Sequence, residues 1–378
     1  MKLGIDNIDR YLTLFANKRV GLITNPTGTN SQMTTTIDVL KEKVNLVCLF
    51  SPEHGVRGEF QAGIHFDSYI DQDSGIIAHS LYTKDKRPTK EMLDTIDIIC
   101  IDIQDVGSRF YTFIYTMAYS MMACSEAKKE FVVFDRPNPV GGEVCEGNIL
   151  DLEYRSFIGY YPIVQRHGMT IGELAKMFNE HFGIGCHLTI IPMEGWKRSM
   201  DFHDTRLPWL CPSPNVPTLE TCYLYNGTCI FEGTNVSEGR GTTKPFEYIG
   251  APYMNPRELT TALNELHLPG VLFTPITFTP TFSKHNGFLC KGVHVHITDK
   301  NTFEAVKTGW SMLAIIRRLY PNAFEVLPPY KAGGNRMLEL NTGCDYILKE
   351  TYSLEEQWNI IARDSKKFAE ERKQYLLY

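Results

Sequence analysis

The chain has 378 residues, of which 43% are hydrophobic and 22% charged, with a formal charge of −6 and a pI near 6.0. That length exceeds what one core usually supports, so a large α/β domain plus a smaller one is expected, with a cleft between them. Lysines and arginines scattered through an acidic chain exclude a nucleic-acid footprint, and the composition calls for no membrane span.

At the N-terminus, Asp6 and Asp9 stand where a signal peptide needs an unbroken apolar stretch. Ten cysteines occur without a CxxC pair, several inside apolar runs, which suits reduced, buried thiols. As written, the chain is expected to be cytoplasmic; a trimmed signal peptide would instead make it periplasmic or extracellular.

Strand and helix signals then alternate. A strand over 19–24 empties into Asn25-Pro26-Thr27-Gly28, a helix follows over 34–43, and a second strand spans 44–50. That strand runs into Ser51-Pro52-Glu53-His54-Gly55-Val56-Arg57-Gly58. Proline and two glycines stop regular structure there, so a carboxylate, an imidazole and a guanidinium stand together at a strand's carboxyl end, where open α/β sheets bind ligands. Further strands are predicted over 96–103 and 131–134, with a helix from about 108 to 128 between them. Thr170 is predicted to cap a helix running to His181, followed by a strand at 188–192.

From about 208 to 256 the sequence becomes rich in Pro, Gly and Asn and loses helical periodicity, as expected of loops bordering a site. A smaller α+β region follows, with helices at 256–266 and 303–320, strands near 271–278 and 292–297, and terminal helices. The fold predicted is a Rossmann-like, mostly parallel sheet domain over 1–245 and a smaller C-terminal α+β domain over 246–378.

The strand ends supply the candidate chemistry. Glu53 is a candidate general acid and His54 its partner, because a half-buried carboxyl group can hold a proton near neutral pH. In Gln104-Asp105-Val106-Gly107-Ser108-Arg109-Phe110-Tyr111, Asp105 is a candidate cap or substrate contact, while Arg109 and Tyr111, placed in a first helical turn, offer a cation and a ring face for a sugar. Asn138 in the loop Asp135-Arg136-Pro137-Asn138-Pro139 is a candidate contact, and Glu146 a candidate second carboxylate of a hydrolase pair. Asn25, Arg57 and His167 join the substrate contacts, as do Asn235, Glu238 and Arg240 of the glycine-rich loop at 232–242. His294-Val295-His296 lacks further ligands for a metal, and no GxGxxG follows any strand, so no metal or other cofactor is expected.

Taken in order, Gly-Leu-Ile-Thr-Asn-Pro-Thr-Gly, Ser-Pro-Glu-His-Gly-Val-Arg-Gly, Asp-Ile-Gln-Asp-Val-Gly-Ser-Arg-Phe-Tyr-Thr, Asp-Arg-Pro-Asn-Pro, Glu-Gly-Thr-Asn-Val-Ser-Glu-Gly-Arg-Gly-Thr and the terminal Tyr-Leu-Leu-Tyr resemble the NamZ/YbbC-like family of exo-acting β-N-acetylmuramidases. The resemblance implies two domains with a cleft, and hydrolysis of terminal β-linked N-acetylmuramic acid from the non-reducing end of peptidoglycan fragments, with Glu53 catalytic. Arg57, Arg109 and Arg240 are then candidates for the sugar's lactyl carboxylate. Asp105, Glu146 or Glu238 would serve as nucleophile, as base, or as the group orienting an attacking acetamide. A non-catalytic muropeptide- or sugar-binding protein using the same cleft is the alternative, favoured if the pocket holds one carboxylate only.

Overall fold

In a computed structural model that describes residues 1–53, 55–58, 68–81 and 85–378, the apolar runs of the first half become one sheet. Its strands are β1 (Arg19–Thr24), β2 (Asn45–Ser51), β3 (Tyr69–Ile70), β4 (Ile77–Ser80), β5 (Ile98–Asp102), β6 (Glu130–Phe134) and β7 (His187–Ile191). They lie in the order β3-β4-β2-β1-β5-β6-β7, all parallel except β3. Alternate residues are apolar on both faces. Val20, Leu22, Cys100 and Val132 pack on one side, and Ile23, Phe50, Ile101 and Val133 on the other, as a sheet covered on both faces requires.

Helix α1 (Leu12–Phe15) precedes β1, and α2 (Thr36–Lys43), α3 (Lys90–Asp94), α4 (Phe113–Ala127) and α5 (Ile171–Glu180) lie between successive strands. Thr170 caps α5 by accepting from the Glu173 N–H. Helix α4 begins at Phe113 and not at 108, because Ser108 pairs as a β-bridge with Arg166 and the Arg109 N–H bonds to the Gln165 carbonyl. Arg109 and Tyr111 therefore lie in the loop entering the helix.

The second lobe carries a three-stranded antiparallel sheet, β8 (Tyr248–Ala251), β9 (Val271–Phe278) and β10 (Cys290–Ile297), ordered β8-β10-β9. Around it are α6 (Leu219–Thr228), α7 (Pro256–Asn264), α8 (Ala305–Leu319), α9 (Met337–Thr342) and α10 (Leu354–Glu371). One apolar cluster runs from Phe50 and Ile101 of the first sheet to Ile249, Phe273 and Trp310 of the second lobe, so the lobes share a core.

Helix α6 and strand β8 fall inside the stretch predicted as loop. Residues 219–228 are almost all buried except Glu220, and a helix covered all round shows no amphipathic stripe. It meets α8 at Gly227 and Gly309, where a Cβ on Gly227 would lie 1.9 Å from the Ala305 carbonyl oxygen. Two distant segments also converge on the end of β6: the Gly4 N–H donates to the Asp135 carbonyl, and the Tyr378 hydroxyl donates to Asp135 Oδ2 at 2.8 Å.

Among the parallel strands the order reverses between β1 and β5, and sheets of this kind hold dinucleotides at that switch point. Here the crevice is filled. Arg136 is forked onto Asp102 at 2.5 and 3.1 Å, and the Thr36 hydroxyl bonds to the same carboxylate. Only about 20 Å³ remains beside them.

Candidate active site

The turn after β2 is fixed by its glycines. Gly55 and Gly58 have φ of 88° and 76°, open to glycine at little cost, and a Cβ on Gly58 would meet the Pro26 ring at 3.0 Å. Arg57 forks onto Asp71 at 3.0 and 2.8 Å, tying the turn to the β3–β4 edge and holding the Asp71 carboxyl down to about 2. The turn presents half-buried Glu53 to a cavity of about 210 Å³ between the lobes. His54 lies outside the described residues.

Tyr111, Phe113, Tyr225 and Phe246 wall that cavity, together with Asn215 and Met337. The rings brace one another edge-on, Tyr225 against Phe246 at 4.7 Å and Tyr111 against Phe113 at 4.8 Å between centroids, the geometry aromatic quadrupoles favour. The Tyr111 hydroxyl is buried beside the Ser213 side chain, and burial pushes its pKa well up, so it stays neutral.

Among the described residues, the acids lining this cavity are Glu53 and Glu232. Glu232 pairs with Arg240 at 2.5 Å, and Arg240 also meets Glu238 at 3.3 Å. Burial alone would lower the Arg240 pKa, but its two carboxylates raise it instead, so the guanidinium stays charged. Glu238 is 2% exposed and its other oxygen pairs with Lys284 at 2.7 Å. Asn215, Glu232, Arg240 and Met337 also line an outer vestibule of about 660 Å³, with Glu238 and Lys284 in its wall.

Of the residues expected from sequence, the structure brings Glu53, Tyr111 and Arg240 together at the inner cavity and Glu238 to the vestibule. The others take structural posts. Arg57 holds Asp71. Asn25 accepts from the Thr27 N–H and hydroxyl, closing its turn. Asn138 does the same for the Val140 N–H while donating to the Met169 carbonyl.

Asp105 does not cap α4. It accepts from the Gly107 N–H, and His167 Nε2 lies 3.2 Å from the same oxygen, both side chains buried; His167 Nδ1 accepts the Met169 N–H. Asn235 spends its amide on Ala323, Glu325 and Tyr253. Arg109 is wholly buried, its fork donating to four main-chain carbonyls: Asn148 and Ile163 from the first lobe, Asn341 and Thr342 from the second.

Glu146 lines a different groove, beside Lys307 and Trp358. Its carboxylate accepts the Lys307 N–H at 3.0 Å, capping the first turn of α8 from the other lobe. Burial pushes this carboxyl from an ordinary 4.5 to about 7. The folded form thus holds a proton that the unfolded chain releases, so this group's stabilisation is present below about pH 4.5 and lost as pH rises through about 7. Relative to Glu146→Gln, the wild type is expected to lose roughly 2 kcal/mol between pH 5 and pH 8. Melting curves of both proteins at the two pH values check this; a difference that does not change with pH overturns it.

Two residues were missed from sequence. Glu232 opens the glycine-rich motif, whose later polar residues drew the attention. Lys86 stacks its ammonium over Phe157 at 4.5 Å and lies near enough to Glu53 for their charges to act on each other, although burial lowers its pKa overall. Nothing local in the sequence marks Lys86; the fold carries it there.

Two glutamates on one small cavity suit acid catalysis at an acetal. The class is a glycosidase. The model of the N-terminal part of exo-β-N-acetylmuramidase NamZ matches residues 20–220, and that of its C-terminal part residues 223–378; the chain belongs to this family. It is 51% identical to the peptidoglycan β-N-acetylmuramidase NamZ of Bacillus subtilis (strain 168), over 100% of this chain and 91% of that protein. Crystal structures of two DUF1343 family proteins of Bacteroides fragilis superpose with TM-scores of 0.90 and 0.76, at 36% and 32% identity. Each comparison covers 100% of this chain and 98% of the other.

Proposed function

We infer that this chain is an exo-acting β-N-acetylmuramidase that releases terminal N-acetylmuramic acid from the non-reducing end of peptidoglycan fragments, with Glu53 as the acid. The observation that carries the reading is the small interlobe cavity with Glu53 and Glu232 both in its wall. Glu53 donates its proton to the glycosidic oxygen as the bond to the leaving sugar breaks, and later takes one from water. Glu232, paired with Arg240, supplies negative charge to the oxocarbenium-like centre, directly or by orienting the substrate acetamide. Tyr111 offers its ring as a wall for the sugar. Of the three arginines expected near the lactyl carboxylate, Arg240 lines the cavity, with its guanidinium already paired to Glu232 and Glu238.

A single carboxylate would favour a binding-only protein, and among the described residues this cavity holds two. Glu232→Gln keeps the hydrogen bonding shape but removes the charge, and is expected to lower kcat on a muramic-acid-terminated disaccharide by about 10²–10³-fold. Chromatography of released N-acetylmuramic acid measures it. Turnover within about threefold of wild type would remove Glu232 from the mechanism, and wild-type protein that binds without releasing sugar would leave the binding reading standing.

A further inference from the structure

Where the inner cavity ends, the protein does not. Its walls at Asn215, Glu232, Arg240 and Met337 continue into the vestibule, whose outer sides carry two aromatic rings of the second lobe, Phe282 and Tyr330. Both rings face solvent, 45% and 86% exposed, and border a pocket that also carries the charged side chains of Glu232, Glu238, Arg240 and Lys284.

The loop that presents Phe282 is pinned. The Thr281 N–H and hydroxyl both bond to the Gly241 carbonyl, at 2.9 and 3.0 Å. Lys284 donates to the carbonyls of Phe231 and Thr234, and His285 Nε2 meets the Asn235 carbonyl at 2.6 Å. Ser283 and His285 both hold a left-handed backbone, φ 67° and 56°. Such a conformation costs free energy in non-glycine residues and persists where surrounding contacts enforce it. The loop thus holds Phe282 out at the vestibule. On the Tyr330 side, Pro328 and Pro329 limit the freedom of the segment that carries the ring.

The charges of the vestibule say what kind of ligand fits. Lys284 is engaged by Glu238 and two carbonyls, and Arg240 by Glu232 and Glu238. The cationic groups here are matched by carboxylates, a poor receptor for the anionic stem peptide of a muropeptide. Ring faces suit the neutral C–H face of a pyranose.

We propose that Phe282 and Tyr330 form the leaving-side subsite, which holds a neutral amino sugar, the N-acetylglucosamine that follows N-acetylmuramic acid in peptidoglycan. This rests on the muramidase reading above and assigns the second lobe its specificity role. Binding energy from that non-reacting ring lowers the barrier at the bond being cut.

The experiment compares kcat/KM for the disaccharide N-acetylmuramyl-β-1,4-N-acetylglucosamine with that for methyl β-N-acetylmuraminide, which has no leaving ring. In the Phe282→Ala/Tyr330→Ala double variant the ratio of the two is expected to fall about tenfold, and a Phe282→Trp variant is expected to keep it. A ratio within twofold of wild type in the double variant overturns the subsite, whether or not both activities drop together. Wild-type protein that cleaves neither glycoside overturns the muramidase reading and this one with it.

Discussion

Glu53→Gln is expected to reduce kcat on the natural disaccharide by about 10³-fold while leaving the melting temperature unchanged. The substitution keeps the size of a half-buried side chain on a turn held by Gly55, Gly58 and the Arg57–Asp71 fork, while removing the ionisable group and its charge interaction with Lys86. Its role is read from the leaving group. An aryl glycoside such as p-nitrophenyl β-N-acetylmuraminide departs without protonation, so the deficit should be far smaller on it if Glu53 is the acid. Equal deficits on both substrates would make Glu53 the nucleophile or base, and full activity on the disaccharide would sink its catalytic role altogether.

Arg109→Met carries the largest expected effect on stability. The wild-type guanidinium is wholly buried and serves four carbonyls across the two lobes; burial lowers its pKa to about 10, which still leaves it charged. Methionine fills much of the volume but leaves the carbonyls without donors in a dry interior, at roughly 3–5 kcal/mol. Thermal melting should fall by about 10 °C. Lysine should not rescue it, because a single ammonium cannot reproduce a planar fork that reaches both lobes. A loss below about 1 kcal/mol for Arg109→Met in denaturant unfolding would show that water reaches these carbonyls.

Buried parallel strands announce themselves as apolar runs, which is why β1, β2, β5 and β6 were legible within a residue or two; the partly buried edge strand β7 was read as closely. Helix α6 was not, since burial on every side erases the periodicity that marks a helix. At the site, Glu53 was legible because proline and glycine flank it at a strand end. Arg109 was misread for the reason that makes it important: a guanidinium spent on distant main-chain carbonyls looks, in sequence, like one offered to a ligand. Glu232 and Lys86 needed the second lobe and the loop after β4 brought against β2, contacts between residues far apart in the chain that no local pattern encodes.

The meeting of Gly4 and Tyr378 on Asp135 sets a timetable for synthesis. A chain emerging from the ribosome N-terminus first has its β6 strand ready long before residue 378 exists, a wait of 243 residues. The larger lobe cannot complete this corner alone, and such long-range closure is the kind that slows folding. Completion of this corner thus waits for residues made long after the strand it closes.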